Sequence, residues 1–188
     1  MMSSAVGLKN EIIQLIPEFN LIADEELREK TINVWQDAIS QGGWTIEKIK
    51  KMPFSLHVED CNITFIEHVR TVCKMCIAVA DVLKDSYGDR IKLNRDYLIA
   101  GALLADVGKL IEYEEQDGKI IRTGRGRHLR HPFIGVAMSH LRGIPLEIQH
   151  IIATHSKEGD IMTRSNESVI FHHADFIDFD LVSKKRPF

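Results

Sequence analysis

The sequence predicts an all-α fold, a helical bundle with one small β-hairpin, and three observations support this prediction. Apolar residues recur at helical spacing along most of the chain, and the segment 95–106, RDYLIAGALLAD, is apolar nearly all round, as expected of a central helix. Only the segment 111–123, after that helix, resembles strands, with two short runs on either side of a turn signal. The 188 residues have the length of one domain. We therefore expect a single globular unit over residues 1–188.

The first 52 residues are predicted to form packing helices, because their apolar side chains recur at helical spacing. In the second of these helices, Asp24 is a candidate N-cap and the glycine pair that ends at Gly43 is a candidate stop signal. The third helix, TIEKIKKM at 45–52, should end before Pro53, because proline disfavours the helical conformation of the residue before it. A loop that carries His57 should follow.

The rest of the chain is predicted to form a long helix, the central helix, the hairpin and three further helices. The long helix runs over 63–83, with His68 at the edge of its apolar stripe, and the central helix includes Asp106. The hairpin turns at Gln-Asp-Gly, residues 116–118. The two helices that follow each begin with a proline at their first position, and 166–182 forms the last helix.

Asp106 places a carboxylate inside the apolar run LIAGALLADVGKLIEY, residues 98–113. Burying an ionised carboxylate costs several kcal/mol unless it is paired, hydrogen-bonded or bound to metal. Other polar residues share its apolar helical surroundings, and imidazole and carboxylate are typical ligands of hydrolytic and redox metal centres. These residues are His68, His131, His155, His173 and Asp175. Each histidine is equally consistent with a hydrogen-bonded core residue, and Asp175 with a local cap, so the residues alone leave both interpretations open.

Five ordered motifs resemble those of the HD-domain superfamily of metal-dependent phosphohydrolases. They are EHVRTV at 67–72, LLADVGK at 103–109, RHP at 130–132, ATHS at 153–156 and HHAD at 172–175. The resemblance covers about residues 53–180, which it identifies as an HD core preceded by the packing helices of 1–52. It implies an HD-type helical bundle that binds one or two divalent transition metal ions. The ligands that it implies are His68, Asp106, His131, His155 and Asp175, with Asp106 as the bridge between two cations.

The chain departs from the family pattern at Ala105, where the family has the histidine of its adjacent His-Asp pair. A methyl group cannot bind metal, and even the loss of an outer partner of a metal site typically costs about 10- to 100-fold in affinity or activity. Two explanations remain open. The chain is either a natural variant with one metal position weakened, or a form in which the residue was changed to inactivate the enzyme.

The segment from Gly118 to Leu146 contains no acidic residue, although the chain as a whole has a net charge of −3. Its positive charges are Lys119, Arg122, Arg125, Arg127, Arg130 and Arg142. Guanidinium groups bind phosphate through paired hydrogen bonds, so we expect Arg125, Arg127 and Arg130 to bind a phosphorylated substrate. The alternative is a solvated basic face.

The resemblance also implies roles for residues around the proposed ligands. Asp106 and Lys109 are the expected catalytic residues, and Lys109, three residues after Asp106, is placed to meet a phosphate. A histidine-bearing loop before the first ligand, as in similar HD proteins, makes His57 an expected residue of the substrate pocket.

The predicted function is metal-dependent hydrolysis of a small phosphate ester or phosphodiester, impaired in this chain by Ala105. Mn, Fe, Co, Ni and Zn all accept ligands of these types, so the sequence does not select one metal. Two other classes remain open. One is a di-iron oxygenase, since the superfamily has such relatives, and the other is a catalytically silent ligand-binding domain, which Ala105 favours.

Composition restricts the partners and the compartment. The N-terminus lacks a basic region followed by a long apolar core, and no apolar run approaches the ~18 residues of a membrane span. The three cysteines are typical of reduced thiols, and the C-x2-C spacing of Cys73 and Cys76 lies mid-helix, where core thiols are favoured over zinc. We expect a cytoplasmic protein that binds a small molecule. The acidic net charge disfavours nucleic acid, and the oligomeric state is not predicted.

Overall fold

The helices of the computed structural model follow the apolar periodicity of the sequence. The structure describes residues 2–58 and 62–183. The α-helices in these ranges are α1 (Met2–Leu15), α2 (Glu25–Gly42), α3 (Ile46–Ile49), α4 (Phe65–Tyr87), α5 (Arg95–Leu104), α6 (Lys109–Glu112), α7 (Gly124–His128), α8 (His131–Leu141), α9 (Leu146–Thr154) and α10 (Asn166–Val182). The strands are β1 (Tyr113–Gln116) and β2 (Lys119–Arg122), and short 3-10 helices cover Pro17–Leu21, Gly88–Arg90 and Lys157–Gly159. The predicted all-α class with a small hairpin is confirmed.

Helix α5 is the central helix, as predicted. It packs against α2, α4, α9 and α10, and all residues from Leu98 to Leu104 are buried. Helix α2 and the residues directly after it also contact this part of the chain through two indole groups. The Trp35 indole N–H donates to the carbonyl of Leu103 at 2.8 Å, and the Trp44 indole N–H donates to the carbonyl of Leu110 at 2.6 Å. The N-terminal helices therefore share a core with the helix that leads to Asp106.

The predicted signals at the ends of α2 are confirmed. The side chain of Asp24 accepts a hydrogen bond from the backbone N–H of Leu27, and Gly43 has the left-handed φ of 67° that ends many helices. Helix α4 begins with a capping box in which Thr64 and Glu67 each accept the other's backbone N–H. This cap determines where α4 begins and places His68 in its first turns.

The hairpin follows the central helix and turns where the sequence predicts. Gln116 pairs with Lys119, and the two residues between them, Asp117 and Gly118, have φ values of 51° and 75°. Positive φ at both central residues is typical of the type I′ turn, whose twist matches that of the strands.

Several predicted boundaries are wrong. Helix α5 ends at Leu104, so Asp106 lies in the turn that follows the central helix and is not part of it. Helix α3 covers four residues and not the predicted 45–52. Pro145 is the N-cap of α9 and not its first helical residue, whereas Pro132 does lie in the first turn of α8. Each difference concerns a helix end, where local hydrogen bonds decide and apolar periodicity does not.

Cys73 and Cys76 are buried free thiols on α4, as predicted. Burial raises the pKa of Cys73 to about 12, and that of Cys76 is raised as well, so both are inert core thiols. Cys61 lies outside the described residues. Among the described helices, none combines the length and the apolar character that a membrane span needs.

Candidate metal centre

The five residues that resemble HD ligands converge from five places in the fold. His68 lies on α4, Asp106 in the turn between α5 and α6, His131 at the start of α8, His155 directly after α9 and Asp175 on α10. Their side chains form two groups, and within each group all ligand atoms lie within 4.8 Å of one another. Asp106 belongs to both groups. Four of the five residues are buried, and Asp175 is partly exposed.

The first group consists of His68, Asp106 and Asp175. The Nε2 atom of His68 lies 3.0 Å from Oδ2 of Asp106 and 3.1 Å from Oδ1 of Asp175. Burial opposes protonation of His68, but hydrogen bonds to Asp106, Asp175 and Asp178 outweigh it and raise the pKa of His68 well above its usual value. A positive charge is therefore favoured between the two carboxylates. A metal cation bound to Nε2 would supply that charge in place of the proton.

The second group consists of Asp106, His131 and His155. The Nε2 atoms of the two histidines lie 3.1 Å apart, and Oδ1 of Asp106 lies 3.2 Å from His131 Nε2 and 3.7 Å from His155 Nε2. Two imidazole lone pairs that face each other at this distance repel unless a proton or a metal ion lies between them. Imidazole and carboxylate groups in this arrangement fit a divalent transition metal ion.

Each histidine of the two groups is oriented by an acceptor at its other ring nitrogen. The Nδ1 atom lies 2.7 Å from Oδ2 of Asp178 in His68, 2.8 Å from Oε2 of Glu112 in His131, and 2.7 Å from the Ile152 carbonyl in His155. Nδ1–H therefore donates outward, and Nε2 points into the site in all three. This is the arrangement by which proteins fix the tautomer of a metal-binding histidine.

Asp106 is held ionised by the groups around it. Burial raises its pKa, but the Lys109 ammonium and the imidazoles of His155, His68 and His131 outweigh burial and hold the pKa of this carboxyl well below its usual value. The Nζ atom of Lys109 donates to Oδ2 of Asp106 at 2.8 Å and to the Phe54 carbonyl at 3.0 Å. An ionised Asp106 faces the first group through Oδ2 and the second group through Oδ1, and Oδ2 has a second lone pair that accepts the Lys109 hydrogen bond.

A cavity of about 540 Å³ opens above the two groups. Its polar walls include His57, Lys109, Arg130, Ser156 and Lys157, and its apolar walls include Phe54, Tyr113, Phe176 and Phe179. The predicted pocket residue His57 is therefore at the cavity. A more open depression of about 660 Å³ lies between the starts of α5, α9 and α10, and the described residues that line it belong to neither of the two groups of candidate ligands.

The three arginines that the sequence assigns to substrate binding lie in different places. Arg130 lines the cavity, where its Nη1 atom lies 3.3 Å from Oε1 of Glu158. Arg125 and Arg127 are exposed on α7 and are not among the described residues that line the cavity. The role of all three arginines in substrate binding stays a prediction. The geometry favours this role for Arg130 alone.

His173 does not join the cluster, so its grouping with the candidate ligands is wrong. It is exposed on α10, while its neighbour His172 uses Nδ1 to contact the His155 carbonyl at 2.7 Å. On a helix, residue 173 lies about 200° around the axis from residue 175, so the two side chains lie on nearly opposite faces. Because Asp175 faces the cluster, His173 faces solvent.

Two carboxylates that contact the candidate histidine ligands are missing from the sequence interpretation, namely Glu112 and Asp178. Glu112 is fully buried and Asp178 contacts Nδ1 of His68. The signals that indicate them are present in the sequence. Glu112 lies in the same apolar run as Asp106, and Asp178 follows Asp175 by three residues, which places both on one face of a helix.

Ala105 lies directly before Asp106 at the end of α5. It is fully buried in the hydrophobic core, and its backbone N–H donates to the Gly101 carbonyl at 2.8 Å. The group around His68 thus offers three candidate protein ligands among the described residues, where the family pattern implies a fourth at position 105.

Comparison with known proteins identifies the family to which the chain belongs. The HD domain family model matches residues 65–180, and the chain belongs to the HD domain family. The chain is 33% identical over 174 residues to the dihydroneopterin 2',3'-cyclic phosphate phosphodiesterase of Methanocaldococcus jannaschii, an alignment that covers 88% of this chain and 68% of that protein. No solved structure is a significant match to the chain. The family and this relative support a hydrolase of the HD type that acts on a phosphoester in a metal-dependent reaction.

Proposed function

We propose that the protein hydrolyses a small cyclic phosphodiester in a reaction that depends on divalent metal. The observation that supports this most directly is the position of Asp106, which belongs to two groups of candidate ligands at the base of one cavity. A shared carboxylate is how a site can hold two cations close together for hydrolysis of a phosphoester. Membership of the HD family and the phosphodiesterase relative support this class of reaction.

The proposed ligands divide between two cations. His68, Asp106 and Asp175 would hold one, and Asp106, His131 and His155 would hold the other. Bound divalent cations lower the pKa of a coordinated water molecule and polarise the phosphoryl group. Because Ala105 leaves the first group without the fourth ligand of the family pattern, we propose that the second group binds metal more tightly and that hydrolysis is impaired in this chain.

Lys109 and Arg130 are the proposed contacts of the substrate phosphate. Lys109 is held at the base of the cavity by Asp106 and the Phe54 carbonyl. Burial opposes its protonation, but the Asp106 carboxylate outweighs burial and raises the pKa of Lys109 above its usual value. Lys109 therefore stays charged and can neutralise the phosphate as one P–O ester bond is broken. Arg130 offers a guanidinium group at the cavity wall, as is usual in phosphate sites.

The organic part of the substrate is proposed to contact the aromatic wall. Phe176 and Phe179 are partly exposed side chains on α10 that line the cavity. Aromatic rings bind planar heterocycles by stacking, so these two residues suit the pterin ring of a substrate such as the one for which the relative is named. They suit a nucleobase equally well, which makes 2',3'-cyclic nucleotides a second set of candidate substrates.

Metal content and hydrolysis test this proposal together. Purified protein loaded with Mn²⁺, Fe²⁺ or Co²⁺ is incubated with dihydroneopterin 2',3'-cyclic phosphate and with 2',3'-cyclic AMP, and the monoester product is measured. We expect slow hydrolysis that EDTA abolishes and that Asp106→Asn removes. His131→Ala and His155→Ala should lose bound metal, whereas the control His173→Ala should keep it because His173 is exposed on α10. Unchanged metal content in His131→Ala and His155→Ala would show that the second group is not a metal site.

Ala105 favours a second candidate function, a ligand-binding domain without turnover. The family's histidine is absent there, and among the described residues the group around His68 has three candidate ligands and no fourth. Isothermal titration with a phosphorothioate analogue that resists hydrolysis measures binding, and incubation with the cyclic substrate measures turnover. The two measurements together separate the two functions. Tight binding without turnover, both in this chain and in Ala105→His, would support the binding domain.

A further inference from the structure

We propose that Glu112 is a positioning residue that couples the metal-binding face of His131 to the phosphate-binding face of Arg130. The inference rests on the proposed function, because it assigns Glu112 a role in the same metal and phosphate site. Glu112 does not line the cavity among the described residues, so it would act through these two neighbours and not on the substrate itself.

The carboxylate of Glu112 makes four polar contacts. Its Oε2 atom lies 2.8 Å from Nδ1 of His131 and accepts the backbone N–H of His131 at 2.9 Å. Its Oε1 atom accepts Nε–H of Arg130 at 3.0 Å and lies 3.2 Å from Nε of Arg122. One oxygen therefore orients the histidine, and the other orients Arg130.

The contact with His131 determines which nitrogen faces the metal group. An ionised Glu112 accepts Nδ1–H, so Nε2 carries the lone pair that points toward Asp106 and His155. The additional bond to the backbone N–H of His131 holds the start of α8 against the same carboxylate. Loss of the charge would weaken the preference for this tautomer and free the imidazole ring to rotate.

The contact with Arg130 links the same carboxylate to the cavity in which the substrate is proposed to bind. With Nε bound to Glu112, the guanidinium of Arg130 is oriented so that Nη1 lies 3.3 Å from Glu158, at the cavity wall. A guanidinium held at one edge loses less freedom when it binds an anion at the other. Glu112 thus orients one residue toward the metal and one toward the phosphate.

The backbone around Glu112 encloses it tightly. Thr123 donates its backbone N–H to the Glu112 carbonyl at 2.9 Å, which closes the hairpin onto the end of α6. Gly126 packs so closely that a Cβ there would lie 2.4 Å from the Glu112 carbonyl oxygen and 2.8 Å from its Cγ. The hairpin and α7 therefore hold this carboxylate in one place, as positioning of two partners requires.

The test compares Glu112→Gln with Glu114→Gln, a substitution of an exposed residue on the adjacent strand β1. Equilibrium dialysis with Co²⁺ measures the tightest metal affinity, and isothermal titration with inorganic phosphate measures anion binding to the Co²⁺ form. We expect Glu112→Gln to weaken Co²⁺ by about 10- to 100-fold, the usual effect of losing an outer carboxylate, and to weaken phosphate as well. Glu114→Gln should match the unaltered chain in both. A folded Glu112→Gln that binds both ligands like the unaltered chain would overturn the proposal.

A measurement on the unaltered chain keeps the proposal testable if Glu112→Gln does not fold. Long-range ¹H–¹⁵N spectra of the Zn²⁺-loaded protein report the tautomer of His131. We expect a proton on Nδ1, and a proton on Nε2 would overturn the proposal. These readouts need no turnover. If the chain binds Co²⁺ and phosphate but hydrolyses no phosphoester, the proposed function fails while the role of Glu112 is still decided by the affinities and the tautomer.

Discussion

The carboxylate of Asp106 is almost completely buried, and its neighbours explain how the fold tolerates it. Lys109 donates to one oxygen, and the imidazoles of His68, His131 and His155 surround the group. A buried carboxylate without such partners would cost several kcal/mol, which is a large part of the stability of a whole domain. At the scale of single residues, the polar cluster is therefore retained by its mutual contacts. Removal of any one charge leaves the others uncompensated.

The neighbouring position 105 leads to a prediction about metal binding. Ala105→His should add the imidazole that the family pattern implies, raise metal occupancy, and raise turnover of the phosphoester by at least ~10-fold, the lower end of what loss of an outer partner costs. Because Ala105 is fully buried, the larger side chain should lower the stability of the metal-free protein by ~1–3 kcal/mol. Metal analysis, turnover with saturating divalent metal and far-UV circular dichroism measure these effects, and the spectrum should not change.

Ala105→Leu is the matched control for this substitution, because it adds bulk at the same position without a ligand. It should reproduce the loss of stability but gain neither metal nor turnover. Equal metal occupancy in the leucine and histidine forms would show that position 105 does not reach the first group. A histidine form that gains metal but hydrolyses no phosphoester would favour the oxygenase or binding-domain alternatives.

At the scale of elements, the turn between α5 and α6 determines how close Asp106 comes to α8. Gly108 lies in this turn, and a Cβ built on it would lie 2.2 Å from the His131 carbonyl oxygen and 2.9 Å from the backbone N of Gly135. Its φ of −61° is ordinary for any residue, so the requirement for glycine is one of space alone. The glycine allows α8 to pack directly against the turn that carries Asp106.

Gly108→Ala should therefore separate Asp106 from His131. The added methyl group meets backbone atoms, which cannot move away as a flexible side chain can, so α8 must shift. We expect a lower melting temperature and a weaker second metal position, measured by thermal unfolding and by Co²⁺ dialysis. Gly124→Ala is the control, since the nearest atom to its Cβ is the end of the Arg127 side chain at 4.0 Å. A Gly108→Ala protein with unaltered Co²⁺ affinity would contradict the role of this close packing.

The basic segment from the hairpin to α8 leads to a second prediction at this scale. Replacement of Arg130 by Ala should weaken binding of a phosphorylated ligand by ~1.5–3 kcal/mol, the range for a charge-assisted hydrogen bond. Arg125→Ala and Arg127→Ala should have smaller effects, because both side chains are exposed on α7 outside the cavity. Isothermal titration of the three variants with the phosphorylated and dephosphorylated compound measures the differences. Equal affinity of the unaltered chain for both compounds would contradict phosphate recognition by this segment.

The elements differ in how far the sequence could predict them. The hairpin follows from Asp117-Gly118, because few sequences adopt positive φ at two successive residues, and α5 follows from its uniform apolar character. The position of Asp106 beyond α5 could not be predicted, since local turn bonds such as that from the Val107 N–H to the Leu104 carbonyl replace the helical pattern there, and apolar periodicity does not reveal them. The pairing of Glu112 with His131 joins residues 19 positions apart, and periodicity contains no information on such contacts.

At the scale of the whole molecule, the candidate ligands join elements that are distant in the chain. Helices α4, α8 and α10, the end of α9 and the turn after α5 each contribute one side chain to the cluster. The N-terminal helices support this arrangement from outside, since α2 packs against α5. A cation bound to the cluster would connect most of the bundle. Metal binding should therefore stabilise the molecule as a unit, because the unfolded chain does not hold these side chains together.

This connection predicts a metal-dependent melting temperature. At a free Mn²⁺ concentration about 100-fold above Kd, binding to the folded state alone adds about 2.7 kcal/mol to the free energy of unfolding. For a chain of this size 1 kcal/mol corresponds to about 2–4 °C, so the melting temperature should rise by about 5–10 °C and return when EDTA removes the metal. Differential scanning calorimetry measures the change, with Asp106→Asn as the control because it alters the ligand that both groups share. An equal rise in Asp106→Asn would show that Mn²⁺ stabilises the protein elsewhere and would place the metal outside this cluster.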